Sequence, residues 1–277
     1  SKIIFSKSSK YFDEMELCCF GKYIAIDHIL SNKNNPPVCF YLDGDLFFLS
    51  NIKSLLKIIK EYAFILTPHY LKSCEKIEVE METLVSGWIN AGFFVANRDS
   101  LFFKKIINWL LSRIGQKGFM IPEIGLYCDQ KWLAEASQLF NEAMYISKDQ
   151  SLNVAYWNLH ERQISKYKNN FYINNKKMIF FHFSGYDPHE PFLLSKHVII
   201  DINNYNVLKD LLLKYKKEFS DLRLYNKDFN LINLSKSNLK KRIRISSKYY
   251  KENNIISSLL PSKFNKKKNL FKKFINF

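Results

Sequence analysis

Apolar side chains recur along the chain at two different spacings. A helical spacing, in which apolar residues return every three or four positions, predicts helices over 15–30, 52–62, 100–114, 128–140 and 206–219. Short apolar runs predict strands over 38–42, 64–67, 88–95 and 178–183. Strands and helices therefore alternate along the sequence, which predicts an α/β fold.

The apolar run over 38–48 is interrupted by two carboxylates, Asp43 and Asp45, which Gly44 separates. The part before Asp43 predicts a buried parallel strand, because a strand covered on both faces is apolar throughout. Ligands of open α/β sheets collect outside the carboxyl ends of strands. Two carboxylates at that place suit Mg²⁺ or Mn²⁺ held against a diphosphate. A plain Asp-Gly-Asp turn without a ligand is the competing interpretation.

Length and composition predict one large α/β domain with an appendage, since the chain has 277 residues of which 47% are hydrophobic. The five cysteines include an adjacent pair and no Cys-x-x-Cys spacing, so neither a zinc site nor a disulfide framework is predicted. A reducing cytoplasm fits this cysteine usage best. No apolar stretch reaches the length of about 18 residues that a membrane span needs, and the first five residues are too short for a signal peptide.

The net charge of +16 is concentrated near the C-terminus. Between Lys236 and Lys273 there are 13 Lys or Arg residues and one acidic residue, Glu252. Phenylalanine and leucine interleave with these lysines, which predicts an amphipathic segment that lies on an anionic membrane surface. A solvated tail and a nucleic-acid-binding segment are the two alternatives.

Five segments in chain order carry a resemblance to known enzymes. They are 43–45, 90–93, 129–130, 153–162 and 182–188. The first three resemble the Asp-x-Asp, Asn-x-Gly-Phe and Asp-Gln elements of glycosyltransferases of the GT-A fold. The last two look like a bacterial family of surface-polysaccharide glycosyltransferases. The last is also similar to the His-x-x-Gly-x-x-Lys-Pro element of glycogenin-like retaining glycosyltransferases.

The resemblance implies a GT-A fold, which is a mixed sheet flanked by helices, with a metal site. Asp43, Asp45 and His182 would hold Mn²⁺ or Mg²⁺, and this mixture of two carboxylates and an imidazole suits Mn²⁺. A core histidine with one satisfied hydrogen bond is the simpler interpretation of His182. Gly185 would let a diphosphate approach the backbone. The chain departs from the glycogenin pattern at Pro188, which stands where that pattern has lysine.

The resemblance also implies a set of substrate-binding residues and one catalytic residue. The substrate-binding residues are Asn90, Gly92, Gln130, Asn153, Trp157 and Gly185. Asp129 would bind the acceptor or take the proton from the attacking hydroxyl. An N-cap of the following helix is the competing role of this carboxylate.

The predicted division of the chain has three parts. Residues 1–200 form the GT-A-like catalytic domain, 201–235 form a C-terminal helical extension, and 236–277 form the basic amphipathic tail. Only 42 residues precede Asp43, so at most one strand, over 3–5, and one helix are expected there. The GT-A-like domain is therefore expected to be short at its N-terminus, with a shallow pocket for the nucleobase.

These features predict a metal-dependent glycosyltransferase on the inner face of the cell membrane. Its expected donor is a nucleotide sugar, with uridine diphosphate as the carrier, and its expected acceptor is a cell-surface glycan or a lipid-linked glycan. Two other classes stay open. One is a non-catalytic module that binds membrane or nucleic acid, and the other is a metal-dependent phosphohydrolase that uses the same carboxylates.

Overall fold

The computed structural model describes residues 10–187, 189–190, 193–197, 200, 202 and 205–225. The helices are α1 (Glu14–Ser31), α2 (Leu55–Ile58), α3 (Ile77–Ser86), α4 (Phe103–Lys117), α5 (Gln130–Leu139) and α6 (Asn206–Tyr225). The strands are β1 (Val38–Leu42), β2 (Leu46–Phe48), β3 (Phe64–Pro68), β4 (Ile89–Asn97), β5 (Met120–Ile121), β6 (Leu126–Tyr127), β7 (Met144–Ile146), β8 (Ile164–Tyr167), β9 (Asn170–Ile173), β10 (Lys176–Lys177) and β11 (Phe180–His182). The predicted basic tail and the predicted strand over 3–5 lie outside the described residues.

The main sheet is mixed and has the strand order β1-β4-β3-β7. Strand β4 pairs antiparallel with β1 and β3, while β3 pairs parallel with β7. All nine residues of β4 are buried. Helices flank the sheet, so the predicted mixed α/β architecture is confirmed.

Side chains of β4 alternate between two apolar clusters, as the two-residue period of a strand requires. Phe94 packs in a cluster with residues of α1, α4 and α5. Phe93 and Val95 pack in another cluster with Leu55 and Phe180. Because both faces of β4 are covered, its sequence is apolar apart from Asn90 and Asn97.

The predicted parallel arrangement of β1 is wrong, because β1 pairs antiparallel with β4, from Val38 opposite Asn97 to Leu42 opposite Phe93. It is an edge strand of the described sheet, and its residues are only partly buried or exposed. An apolar run reports how much of a strand is covered, and it carries no information on the direction of the neighbouring strand.

Most predicted helices are present, with ends shifted by a few residues. Helix α1 begins with a capping box, in which Asp13 accepts from the backbone N–H of Glu16 and the Glu16 carboxylate accepts from the backbone N–H of Asp13. The helix predicted over 52–62 is a single turn, α2. The helix predicted over 100–114 begins at Phe103, as α4, and has no side-chain cap.

Helix α6 packs against the strand that carries His182. Tyr215 stacks on Phe183 with ring centroids 3.9 Å apart, and Leu208, Leu211 and Leu212 are buried in the same cluster as Phe181. The division into a domain over 1–200 and an extension over 201–235 stays a prediction. Of the helices in the part of the chain that the structure describes, none is both long and apolar enough to cross a membrane.

We expect Leu211→Ala to lower the free energy of unfolding by about 2–5 kcal/mol, because it opens a cavity in the cluster shared by α6 and β11. Leu213→Ala on the same helix is the matched control, since the Leu213 side chain is 46% exposed and Leu211 is fully buried. Urea denaturation followed by circular dichroism measures both. Equal losses in the two variants would show that α6 does not depend on this packing.

Candidate metal centre

The two aspartates occupy the tight connection between β1 and β2. The Asp43 backbone N–H donates to the Gly92 carbonyl at 2.8 Å, which extends the pairing of β1 with β4. The Leu46 N–H then donates to the Asp43 carbonyl at 3.4 Å, and β2 begins. Gly44 has open space around its Cα, so nothing in the described structure crowds this turn.

His182 reaches the aspartates because β11 pairs antiparallel with β2, with His182 opposite Leu46. The Phe183 backbone N–H donates to the Asp45 carbonyl at 2.9 Å and continues this pairing. His182 is buried with 3% exposure. A contact between residues 137 positions apart therefore follows from one short strand pair.

The three predicted ligands converge. One ligand atom from each of Asp43, Asp45 and His182 lies within 4.8 Å of the others, which is the spacing of side chains that can share one cation. His182 Nε2 is 3.1 Å from Asp45 Oδ1. That oxygen is buried and has no hydrogen bond of good geometry among the described residues.

The other ring nitrogen of His182 shows why a cation fits here. His182 Nδ1 lies 3.0 Å from Asn153 Oδ1. When Nδ1 carries the hydrogen and donates it to this oxygen, Nε2 keeps its lone pair and presents it to a carboxylate oxygen. Two lone pairs 3.1 Å apart repel each other unless a proton or a metal cation lies between them. The donor set of two carboxylates and one imidazole fits Mn²⁺ and admits Mg²⁺.

Gly92 leaves room beside these ligands. A Cβ atom at this position would lie 2.6 Å from His182 Cε1 and 2.8 Å from Asp43 Oδ2, both closer than real Cβ contacts. Asn90 Oδ1 would be 3.1 Å away, and it accepts from the Gly92 backbone N–H. Glycine is therefore required at position 92 for the triad to take this arrangement.

Electrostatic neighbours hold the two carboxylates in place. Burial works to raise the pKa of Asp45, but the neighbouring His182 outweighs it and the pKa lies below its usual value. The Tyr41 hydroxyl donates to Asp43 Oδ1 at 2.6 Å. Burial and the Asp43 charge raise the pKa of Tyr41, so this hydroxyl keeps its proton.

A cavity of about 460 Å³ lies beside the triad. Its lining combines three aromatic rings with amides, hydroxyls, imidazoles and carboxylates. Seven of the lining residues lie on helix α3, and the strand β4 contributes Asn90. The residues are His69, Glu78, Val79, Met81, Glu82, Thr83, Val85, Ser86, Asn90, Tyr127, Gln130, Tyr156, Trp157, Ser184 and His197.

Three of the predicted substrate-binding residues, Asn90, Gln130 and Trp157, line this cavity. The Gln130 amide is already engaged at both ends, since Oε1 accepts from the Ala91 N–H and Nε2 donates to the Ser86 carbonyl. Trp157 packs edge-on against His182 with ring centroids 5.2 Å apart. Cavity and triad are therefore joined through Asn90 and Trp157.

Gly185 lies at the far side of the cavity from β4. Its φ of +73° is a left-handed conformation that favours glycine. A Cβ there would meet His197 at 2.5 Å, and His197 lines the cavity. Pro188, at the position of the missing lysine, is outside the described residues.

Asn153 is fully buried and does not line the cavity. Its backbone takes a φ of +52°, a conformation that asparagine tolerates better than most residues. Its side chain faces His182, and its carbonyl accepts from Asn158 Nδ2 at 2.9 Å. The contacts of Asn153 thus serve to orient a metal ligand.

Asp129 lies apart from the cavity in a buried ion pair. Its Oδ2 is 2.6 Å from Lys22 Nζ and accepts from the Tyr23 hydroxyl at 2.9 Å. Burial works to lower the pKa of Lys22, but the charge of Asp129 outweighs it and the pKa is raised. The predicted N-cap role of Asp129 is wrong, because this side chain makes no cap hydrogen bond in α5. Its catalytic role stays a prediction.

Lys22 connects this ion pair to the metal triad. Its Nζ donates to the Ala91 carbonyl at 3.0 Å and lies 4.7 Å from the centre of the Tyr41 ring. Tyr41 in turn holds Asp43. Lys22 precedes Ala91, whose carbonyl it contacts, by 69 residues in the chain. No local pattern of residues indicates such a contact, so sequence reasoning missed Lys22.

Two further residues that sequence reasoning missed are His69 and Glu82. His69 follows β3, and burial lowers its pKa to about 4, so its imidazole is neutral near pH 7. Its ring meets Trp157 edge-on at 5.1 Å. Glu82 accepts from the Tyr156 hydroxyl at 3.1 Å. The polar residues of α3, the helix that precedes the strand of Asn90, were the sequence signal that pointed to Glu82.

Comparison with known proteins gives remote relatives. No family model matches the chain. It is 25% identical over 177 residues to the uncharacterized protein YfnF of Bacillus subtilis (strain 168), which is 63% of this chain and 58% of that protein. It is 23% identical over 186 residues to the uncharacterized protein YfnD of the same organism, which is 67% of this chain and 58% of that protein. The chain thus matches 58% of the length of these curated relatives.

Among solved structures, the apo crystal structure of mouse xyloside xylosyltransferase 1 aligns with 65% of this chain and 69% of its own chain. The sequence identity is 12% and the TM-score is 0.34. A likeness of this size carries no argument about the fold or the activity of this chain. The case for function therefore depends on the site itself and on the sequence elements that build it.

We expect Asp43→Asn and Asp45→Asn each to weaken Mn²⁺ binding by more than about 100-fold, because each removes one charged ligand from a set of three. Electron paramagnetic resonance of free Mn²⁺ measures the affinity directly. Asp99→Asn is the matched control, since Asp99 is exposed and distant in the chain from the triad. Unchanged Mn²⁺ affinity in both triad variants would contradict the metal site.

Proposed function

We propose that this protein is a metal-dependent glycosyltransferase that moves a sugar from a nucleotide-sugar donor, a uridine diphosphate sugar, to a cell-surface or lipid-linked glycan. The observation that carries the proposal is the convergence of Asp43, Asp45 and His182 beside a polar, aromatic cavity. The resemblance of five segments in order to GT-A glycosyltransferases supports it.

The triad would hold Mn²⁺ or Mg²⁺, and the bound ion would supply positive charge against the leaving diphosphate. Gly92 lets the side chains of His182 and Asp43 pack directly against the backbone, and Gly185 does the same for His197. Asn153 fixes the ring of His182. By holding the metal ligands in fixed positions, these residues would let the site bind an anionic leaving group in one orientation.

Sugar binding would fall to the cavity. Asn90 and Gln130 offer amide groups, and Trp157 offers an aromatic surface. We propose that Asp129 takes part in transfer, with its carboxylate held by Lys22 Nζ at 2.6 Å and by the Tyr23 hydroxyl at 2.9 Å.

We expect acceptor-stimulated release of uridine diphosphate when the full chain, Mn²⁺, a uridine diphosphate sugar and a panel of glycan acceptors are mixed. Asp45→Asn and a chelator should abolish this release, while Asp99→Asn should not. A coupled assay for uridine diphosphate measures it. Acceptor-independent hydrolysis would favour the phosphohydrolase, and no release in any mixture would favour the non-catalytic module.

We also propose that the basic segment between Lys236 and Phe277 holds the protein on the inner face of the cell membrane, in the cytoplasm. Between Lys236 and Lys273 it has 13 basic residues and one acidic residue. Each basic residue near an anionic lipid surface contributes about 1 kcal/mol to membrane binding. Aromatic residues such as Phe264 and Phe271 would add apolar contact. Nucleic acid is the less favoured partner of this segment.

We expect deletion of 236–277 to abolish sedimentation with vesicles of phosphatidylglycerol and phosphatidylcholine, and high salt to do the same to the full chain through screening. Circular dichroism should show the same helical core in both proteins. Equal vesicle binding by the truncated and full chains would contradict the proposal. Preference of the full chain for single-stranded nucleic acid at physiological salt would favour the alternative partner.

A further inference from the structure

The cavity beside the triad has a chemical character that limits which sugars it accepts. Two of its lining side chains, Glu78 and Glu82, are carboxylates, and none of the lining residues described is a lysine or an arginine. Its two imidazoles do not offset these charges. Burial lowers the pKa of His69 to about 4 and also lowers the pKa of His197, so both rings are neutral near pH 7.

Glu82 acts on several residues of the cavity lining. It accepts from the Tyr156 hydroxyl, and its charge raises the pKa of Tyr156 and Tyr127 in addition to the effect of their burial. Its charge also partly offsets the lowering of the pKa of His197 by burial. The negative charge of Glu82 therefore reaches three residues of the lining, while its own side chain stays exposed.

Two residues of the cavity lining carry buried hydrogen-bonding groups without a partner. His69 is 6% exposed and Trp157 is 4% exposed, and both line the cavity. In the part of the chain that the structure describes, His69 Nδ1 and Trp157 Nε1 are buried without a hydrogen-bond partner. A buried polar group without a partner is unfavourable, so a ligand hydroxyl that meets it gains a hydrogen bond at little desolvation cost.

We propose that this cavity binds a sugar ring without negative charge, that His69 and Trp157 hydrogen-bond its hydroxyls, and that Glu82 excludes sugars that carry a carboxylate. This inference rests on the proposed transfer of a sugar and names the class of sugar. Hydroxyls can donate to the imidazole nitrogen and accept from the indole N–H. A uronic acid would place its carboxylate near Glu82, and none of the lining residues described is a lysine or an arginine that could pair with it.

The test measures binding of free sugars, so it does not depend on transfer. The full chain with diamagnetic Mg²⁺ is titrated at low salt with methyl glucoside, methyl galactoside and methyl mannoside, and with the methyl glycosides of the corresponding uronic acids. Saturation-transfer difference NMR gives the affinities. We expect at least one neutral glycoside to bind about tenfold or more tightly than its uronic acid, which corresponds to about 1.4 kcal/mol.

Substitutions at Glu82 test whether this residue causes the preference for neutral glycosides over uronic acids. Glu82→Gln should reduce the ratio of neutral-glycoside affinity to uronic-acid affinity severalfold. Glu82→Lys should make the uronic acid the tighter ligand. Glu75→Gln is the matched control, since Glu75 is an exposed glutamate that does not line the cavity, and it should leave the ratio unchanged. Higher salt should also shrink the wild-type ratio, because Glu82 is exposed and its charge is screened.

Trp157→Phe tests the role of the indole N–H. It removes the indole N–H and keeps an aromatic ring against His182, so it should weaken the neutral glycoside severalfold while Mn²⁺ affinity stays at the wild-type value. Equal binding of neutral and uronic glycosides, no binding of any neutral glycoside, or a ratio indifferent to Glu82→Lys would overturn the inference. Selective sugar binding without acceptor-stimulated release would sustain it and refute the proposed function.

Discussion

The arrangement of this protein depends on one strand, β4, which is buried along its whole length and pairs on both edges. Its alternating side chains join two apolar clusters, one on each face of the sheet, and its neighbours β1 and β3 pair with it in register. The same strand carries Asn90 and Gly92 near its start. Position 92 must remain without a side chain, because the metal ligands pack directly against its Cα. A strand that determines the core thus also determines the shape of the site.

The region behind the triad is held by buried charge. Lys22 and Asp129 form an ion pair with almost no solvent exposure, and Tyr23 completes the partners of Asp129. Removing ions from water is unfavourable, so such a pair persists only where both charges have partners. Loss of one member leaves the other uncompensated, which typically destabilises a protein by about 3–5 kcal/mol. This network ties α1 to α5 and, through Tyr41, to Asp43.

The triad and the cavity differ in the charge of the ligand group that each one suits. Asp45 and His182 approach each other so closely that a shared cation would relieve their repulsion. The cavity next to the triad contains carboxylates, neutral imidazoles and aromatic rings. A ligand that spans both would therefore be anionic at the triad and neutral and rich in hydroxyls in the cavity.

Some of this was determined by the sequence alone. Apolar spacing predicts α1, α4, α5 and α6, since a helix that packs on a core must repeat its apolar face every three or four residues. The ordered elements at 43–45, 90–93 and 182–188 predict the triad and Gly92, because each keeps its chemistry within a few consecutive residues. Burial of β4 is predicted for the same reason, as all its positions are apolar apart from the two asparagines.

Other features were decided only by the tertiary structure, because they depend on partners far away in the chain. An apolar run reports coverage of a strand and not the direction of its neighbour, so the antiparallel pairing of β1 could not be predicted. Asp129 looks like a helix cap until Lys22, more than 100 residues earlier, lies against it. His69 joins the cavity only because β3 ends beside the Trp157 turn. Local spacing encodes burial, whereas long-range pairing encodes which side chains meet.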